Sequence, residues 1–247
     1  MKRYGLVGYP LGHSFSQKYF SEKFEGLNIS HSHTYQVFEL ESLSGFPDIW
    51  DRHPDLAGVN ITIPYKIEIM PFLDEIDDSA AEVKAVNVIK KKGNKLVGYN
   101  SDIFGFKQSL DAWLMGIEVE ALIFGSGGSS LAVQAGLQAL NIPFKIVSRE
   151  ATKGDLTYPQ LHHELSIIDR HHLLINTTPK GMSPNIEEGP PIPYDRIDQN
   201  HYCFDLIYNP EETFFMRQGR QNKARTKNGL EMLKLQAEKS WEIWSNK

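Results

Sequence analysis

Cysteine is almost missing from this 247-residue chain, with Cys203 its sole example. One thiol cannot build an internal disulfide framework, and its isolation fits a reducing compartment. Long apolar runs are missing too, since nothing approaches the roughly 20 residues that a bilayer core demands. The chain enters the strand-like "RYGLVG" of residues 3–8 almost at once, so no secretory leader is expected. Neither sign of charge dominates. With 26 Lys and Arg against 31 Asp and Glu, the net charge of -5 argues against nucleic acid or an anionic membrane as partner. The histidine pairs His31/His33, His162/His163 and His171/His172 lack the i, i+4 spacing of H-E-x-x-H and any adjacent cysteine, so no metal site is expected. These absences leave the expectation of a soluble cytoplasmic protein.

The length suits one large domain or two modest ones. Residues 3–8, 33–40 and 56–64 read as strands, and "SFSQKYFSEKF" has helical periodicity. Residues 86–100 look like a hairpin turning at Gly93-Asn94. The alternation restarts after residue 102. Residues 121–140 read as strand, glycine turn and helix, followed by strands at 144–150, 172–179 and 201–210. Alternation of this kind implies an α/β fold with crossover helices. The expected division is a first domain at 1–102 and a second at 103–228, with the amphipathic helix of 229–247 packing back on the first.

Gly125-Ser126-Gly127-Gly128 follows a short apolar strand and precedes a helix, the context in which a glycine cluster means dinucleotide binding. Glycines allow the tight turn and close approach, and the helix N-terminus offers N–H groups to a pyrophosphate. The next strand ends Ser148-Arg149-Glu150, with Lys153 close behind. Ser148, Arg149 and Lys153 suit a ribose 2′-phosphate, while Glu150 suits a free ribose hydroxyl, so NADP leads and NAD stays open. A plain solvated turn is the alternative for Arg149 and Lys153.

Polar residues mark the first half. Ser14 and Ser16 stand before or within the first turn of a helix, where hydroxyls hold a carboxylate or cap the helix. Asn87 sits in an apolar strand, and Asn100 and Asp102 at a strand-to-helix junction. Asp102 alone reads equally as an N-cap. Lys66, at the exit of "GVNITIPYK", reads alone as a solvated loop lysine. Gln236 shares a helical side with Met232 and Leu233, which turns it inward.

Eight stretches, in order, resemble the shikimate dehydrogenase family: "GYPLGHSFS", "GVNITIPYK", "AVNV", "GYNSDIFGF", "GSGGSS", "INTTPKGM", "DLIYNP" and "NGLEMLKLQA". The resemblance implies an N-terminal α/β substrate domain joined by the C-terminal helix, a Rossmann-type NADP-binding domain, and reversible NADPH-dependent reduction of 3-dehydroshikimate. It implies that Lys66 is catalytic with Asp102 as its partner. Ser14, Ser16 and Tyr208 would lie at the substrate carboxylate, with Thr62 a further substrate contact. Asn87, Asp102 and Gln236 would hold ring hydroxyls. Gly125, Ser126, Gly127, Gly128 and Ser129, then Ser148, Arg149 and Lys153, and finally Leu206 and Gly229 would line the cofactor site. The chain departs from the family pattern at Gln17, Lys84, Val88, Leu131 and Glu150. Two neighbouring readings keep the architecture: a dehydrogenase that accepts quinate or NAD, and a non-catalytic dinucleotide-binding module. Nothing in the sequence sets an oligomeric state beyond monomer or homodimer.

Overall fold

The computed structural model describes residues 1–12 and 15–246, and the chain divides into two compact units, Met1–Ser101 with Gln236–Lys247 and Asp102–Leu235. The first unit contains β1 (Lys2–Gly8), α1 (Phe15–Gly26), β2 (His33–Glu39), α2 (Phe46–Arg52), β3 (Leu56–Ile61), β4 (Glu75–Ile76), α3 (Asp78–Val83), β5 (Val88–Lys92) and β6 (Lys95–Tyr99). Its strands form one mixed sheet in the order β2-β1-β3-β5-β6-β4. β1 runs parallel to β2 and β3, whereas β5 is antiparallel to both β3 and β6. The expected hairpin forms with Lys92 opposite Lys95, and Gly93 takes a positive φ of 63°, which costs glycine nothing. Asn87 lies just outside β5 and not within a strand as read from sequence, because the ladder with β3 begins at Val88.

Period-2 alternation sends Val7 to one face of this sheet and Tyr4 and Leu6 to the other. Val7, Val59, Ile61, Tyr65 and Ile69 pack with Phe46, Ile49 and Trp50 of α2. On the opposite face Tyr4 and Leu6 meet Phe20 and Phe24 of α1 and, from the C-terminal segment, Ala237 and Trp244. The Trp244 ring stacks on Tyr4 at 4.8 Å between centroids, and its Nε1 donates to the Ile89 carbonyl at 3.0 Å.

The second unit carries α4 (Asp102–Leu114), β7 (Ala121–Phe124), α5 (Gly128–Ala139), β8 (Phe144–Ser148), β9 (Leu156–Thr157), α6 (Tyr158–His163), α7 (Ser166–Arg170), β10 (Leu173–Asn176), β11 (Tyr202–Asp205), α8 (Phe214–Gln221) and β12 (Arg225–Lys227). It also holds the start of α9 (Leu230–Ser245). All pairings are parallel in the order β12-β11-β10-β7-β8-β9. Counted from β7 as the first strand, that is the doubly wound order 3-2-1-4-5-6 of a Rossmann fold. Both faces are covered, so β7, β10 and β11 are buried throughout and read as continuous apolar runs. Met232 of α9 is buried with Phe106 and Phe204, which keeps the first turns of that helix with this unit up to Leu235. Among the described residues, no helix is long and apolar enough to cross a membrane.

Candidate active-site residues

In the first unit, register gathers the candidate residues at one edge of the sheet. Thr62 and Lys66 follow the carboxyl end of β3. Because β5 is antiparallel to β3, and β6 to β5, Asn87 and the Asn100–Ser101 pair reach the same edge. Backbone hydrogen bonds then fix the turn: Tyr65 N donates to Thr62 O (3.0 Å), Ile61 N to Asn87 O (2.9 Å) and Val86 N to Lys66 O (2.7 Å). Lys66 is therefore anchored through its carbonyl beside Asn87, with a half-buried side chain. Gly8 closes the turn from the β1 side, because a Cβ there would come within 2.5 Å of the Thr62 methyl.

A buried polar network lies behind these residues. Asn87 Oδ1 accepts from Ser101 N (2.7 Å), and Asn87 Nδ2 donates to Ser101 Oγ (3.0 Å). The same hydroxyl donates to Gln236 Oε1 (3.3 Å) and lies 3.2 Å from Ser240 Oγ. Asn60 Nδ2 donates to Ser240 Oγ (3.0 Å) and to the Asn87 carbonyl (3.2 Å), while its Oδ1 accepts from Tyr35 (2.9 Å). Burial pushes the Tyr35 phenol well up, and a hydrogen bond with Ser16 in the first turn of α1 opposes that rise. Ser16, Asn87 and Gln236 thus touch one network, in which the fully buried Ser101 is the hub. Sequence reading passed over Ser101, since a serine before a helix resembles a cap. Ser14 lies outside the described residues.

In the second unit, the cofactor candidates lie at or just past the carboxyl ends of strands. Gly125, after β7, has φ of 112°, and a Cβ would come within 2.7 Å of Thr177 Oγ1. Gly127 and Gly128 face open space, so a pyrophosphate can approach the backbone at the start of α5. Gly125, Ser126, Gly127, Ser148, Arg149, Lys153, Thr177 and Thr178 line a cavity of about 460 Å³. Its glycine cradle leaves room for a pyrophosphate, and its far end carries Arg149 and Lys153 together with Glu150. Ser129 stands in the first turn of α5. Gly229 is pressed against Leu206, whose carbonyl oxygen would collide with any Cβ. A larger cavity of about 560 Å³ opens at the opposite edge, among Glu120, Pro143 and His172, which precede their strands. It shares no residue with the glycine loop, and the switch-point rule favours the carboxyl edge.

Asp102 is the first residue of α4 and is nearly buried, where the helix N-terminus favours a carboxylate. Tyr208 is half-buried, and desolvation raises its phenol. Thr177, Thr178 and Pro179, quoted only as part of a longer stretch, form a cavity wall that sequence reading did not single out. Asn176 holds that wall, its Oδ1 accepting from Thr178 N (3.0 Å) and Oγ1 (2.6 Å) while its Nδ2 donates to Asp205 (3.1 Å).

Residues 6–89 match the shikimate dehydrogenase substrate binding domain. A shikimate dehydrogenase (NADP(+)) of Halothermothrix orenii is 38% identical, covering 98% of this chain and 90% of that protein. The chain belongs to the shikimate dehydrogenase family. The crystal structure of shikimate dehydrogenase 1 from Peptoclostridium difficile superposes with a TM-score of 0.85 at 37% identity, over 99% of this chain and 91% of that one. A shikimate 5-dehydrogenase from Thermus thermophilus, in complex with NADP(H) and shikimate, gives a TM-score of 0.87 at 25% identity, over 99% and 94%. The substrate-and-Rossmann architecture expected of a shikimate dehydrogenase is the one this chain has.

Proposed function

We propose that this chain reduces 3-dehydroshikimate to shikimate with NADPH, reversibly, in the shikimate pathway that leads to chorismate and the aromatic amino acids. The reading is carried by its near-full-length relationship to NADP(+)-dependent shikimate dehydrogenases. Met1–Ser101 with Gln236–Lys247 serves as the substrate unit, and Asp102–Leu235 as the cofactor unit. The enzyme works in the cytoplasm, as a monomer or homodimer.

NADPH, when bound, supplies the hydride. Lys66 donates a proton to the oxygen that becomes negative as the carbonyl is reduced, and removes it in the reverse direction. Asp102 accepts a hydrogen bond from the same hydroxyl and orients it. Asn87 and Gln236 hold ring hydroxyls with side chains already set by Ser101, so little ordering remains to be done when substrate arrives. Ser14, Ser16 and Tyr208 hold the carboxylate, with Thr62 alongside. Gly125 to Ser129 receive the pyrophosphate, Ser148 and Arg149 the adenosine end, and Leu206 and Gly229 border the nicotinamide.

The test is NADPH formation from shikimate and NADP+ by wild type and Lys66→Met. Wild type turns over, and Lys66→Met loses roughly 10²–10⁴-fold in kcat while its NADP+ affinity is retained. Wild type that binds NADP+ but does not oxidise shikimate would end the proposal.

A further inference from the structure

The buried polar network of the first unit has a direction, because several of its groups act only one way. Ser240 Oγ donates its single proton to the Gln236 carbonyl at 2.9 Å, so toward Asn60 it accepts. Asn60 Nδ2 donates to that oxygen (3.0 Å) and to the Asn87 carbonyl (3.2 Å), which turns Asn60 Oδ1 toward Tyr35 of β2. An amide oxygen carries no proton, so the Tyr35 hydroxyl is the donor in their 2.9 Å bond. Its proton is thereby used, and the Tyr35 oxygen accepts in its bond with Ser16. The relay of protons runs from Ser16 to Tyr35 to Asn60. Ser16, in the first turn of α1, holds its proton toward Tyr35 and turns lone pairs elsewhere. A carboxylate, which only accepts, finds no donor in Ser16 so arranged.

We propose that Tyr35 is a positioning residue for the substrate carboxylate, acting through Ser16 by reversal of this relay. This rests on the reading of the first unit as the substrate unit. When the carboxylate arrives, the Tyr35 O–H turns from Asn60 to Ser16, and the Ser16 O–H turns from Tyr35 to the carboxylate. Each hydroxyl keeps its own proton, and only hydrogen bonds are exchanged. Asn60 gives up one neutral bond and keeps both Nδ2 bonds, so its amide stays in place. In return Ser16 bonds an anion, and a hydrogen bond to an ionised acceptor is roughly twice as strong as a neutral one. Bonds in a relay that ends on a charge also polarise one another, so the Tyr35 hydroxyl strengthens the Ser16 contact from behind. Little else has to move. The Tyr35 ring is buried and stacked on Phe20 at 4.7 Å between centroids, which leaves the hydroxyl proton as its free part. Burial also raises the phenol far above its ordinary value, so it remains a donor at every working pH.

Isothermal titration with shikimate and with its neutral methyl ester separates this role from packing. Tyr35→Phe keeps the ring and removes only the hydroxyl. It should weaken shikimate binding about fivefold, the scale of one hydrogen bond, and leave ester binding close to wild type. In turnover the loss should appear in the KM for shikimate, with kcat and the KM for NADP+ unchanged. In a Ser16→Ala background Tyr35→Phe should weaken shikimate binding no further, because its effect passes through Ser16. Equal losses on acid and ester, or independent losses in the double variant, would show that Tyr35 serves packing alone and would overturn the proposal. So would a Tyr35→Phe variant that binds shikimate as well as wild type or better. Wild type that binds neither compound overturns the reading of the substrate unit, and the proposal with it.

Discussion

Asp205 has all the burial of a catalytic carboxylate and none of the exposure that substrate contact needs. It accepts from Ile207 N (3.0 Å), Thr213 Oγ1 (2.6 Å) and Asn176 Nδ2 (3.1 and 3.2 Å), so its work is to hold the turn after β11 and the Thr178 wall. Burial raises its carboxyl to about 6, against the lowering effect of those donors. A folded-state value above the unfolded one means that the protonated form is favoured by folding. This contribution is complete below about pH 4 and is lost as pH rises through about 6, a change on the order of 3 kcal/mol. Denaturant titrations of wild type and Asp205→Asn across that window should show the slope in wild type and its loss in the variant. Ser101 yields a second residue-scale expectation. Ser101→Ala should raise the KM for shikimate several-fold and leave the KM for NADP+ unchanged, and Ser101→Thr, which keeps the hydroxyl, should restore it. An equal effect of both substitutions would show that the hydroxyl does not position Asn87 and Gln236.

At the scale of elements, sequence patterns carried furthest where a segment is long or its turn chemistry is specific. The Gly93-Asn94 hairpin, the strand–glycine–helix unit at β7 and α5, and the C-terminal helix were all legible. Short elements were not. α2, α3, α6 and α7 bury only two or three side chains each, and a period of 3.6 cannot be read from so few. The close approach of Gly229 to Leu206 was equally invisible, because a glycine before a helix reads as a breaker. Gly229→Ala forces its methyl against a carbonyl and should lower stability by roughly 1–3 kcal/mol together with NADP+ affinity. On the first unit, Trp244→Ala removes a side chain stacked on Tyr4 and closely packed against Gly58. It should cost about 3–5 kcal/mol, seen as an early melting transition.

Over the whole molecule, the two-unit plan was accessible from sequence because the alternation restarts after residue 102. The strand order was not, since only the ladders say that β10 lies beside β7, and that adjacency creates the switch point beside the glycine loop. The clustering of Thr62, Lys66, Asn87 and Ser101 at one sheet edge likewise depends on the antiparallel β3–β5–β6 register, which no local motif encodes. If each unit serves one ligand, hydrogen exchange should separate them. NADP+ alone should protect amides around residues 125–129, and shikimate alone those around 62–66.

The proposed reaction passes a hydride from NADPH to the carbonyl of 3-dehydroshikimate. Turnover with NADPH deuterated at the transferring position, followed by mass spectrometry of the product, follows that hydride itself. The product should be shikimate carrying one deuterium from the nicotinamide. Shikimate formed without deuterium from either face of the nicotinamide, or no shikimate at all from folded wild-type protein that binds both ligands, would rule that transfer out.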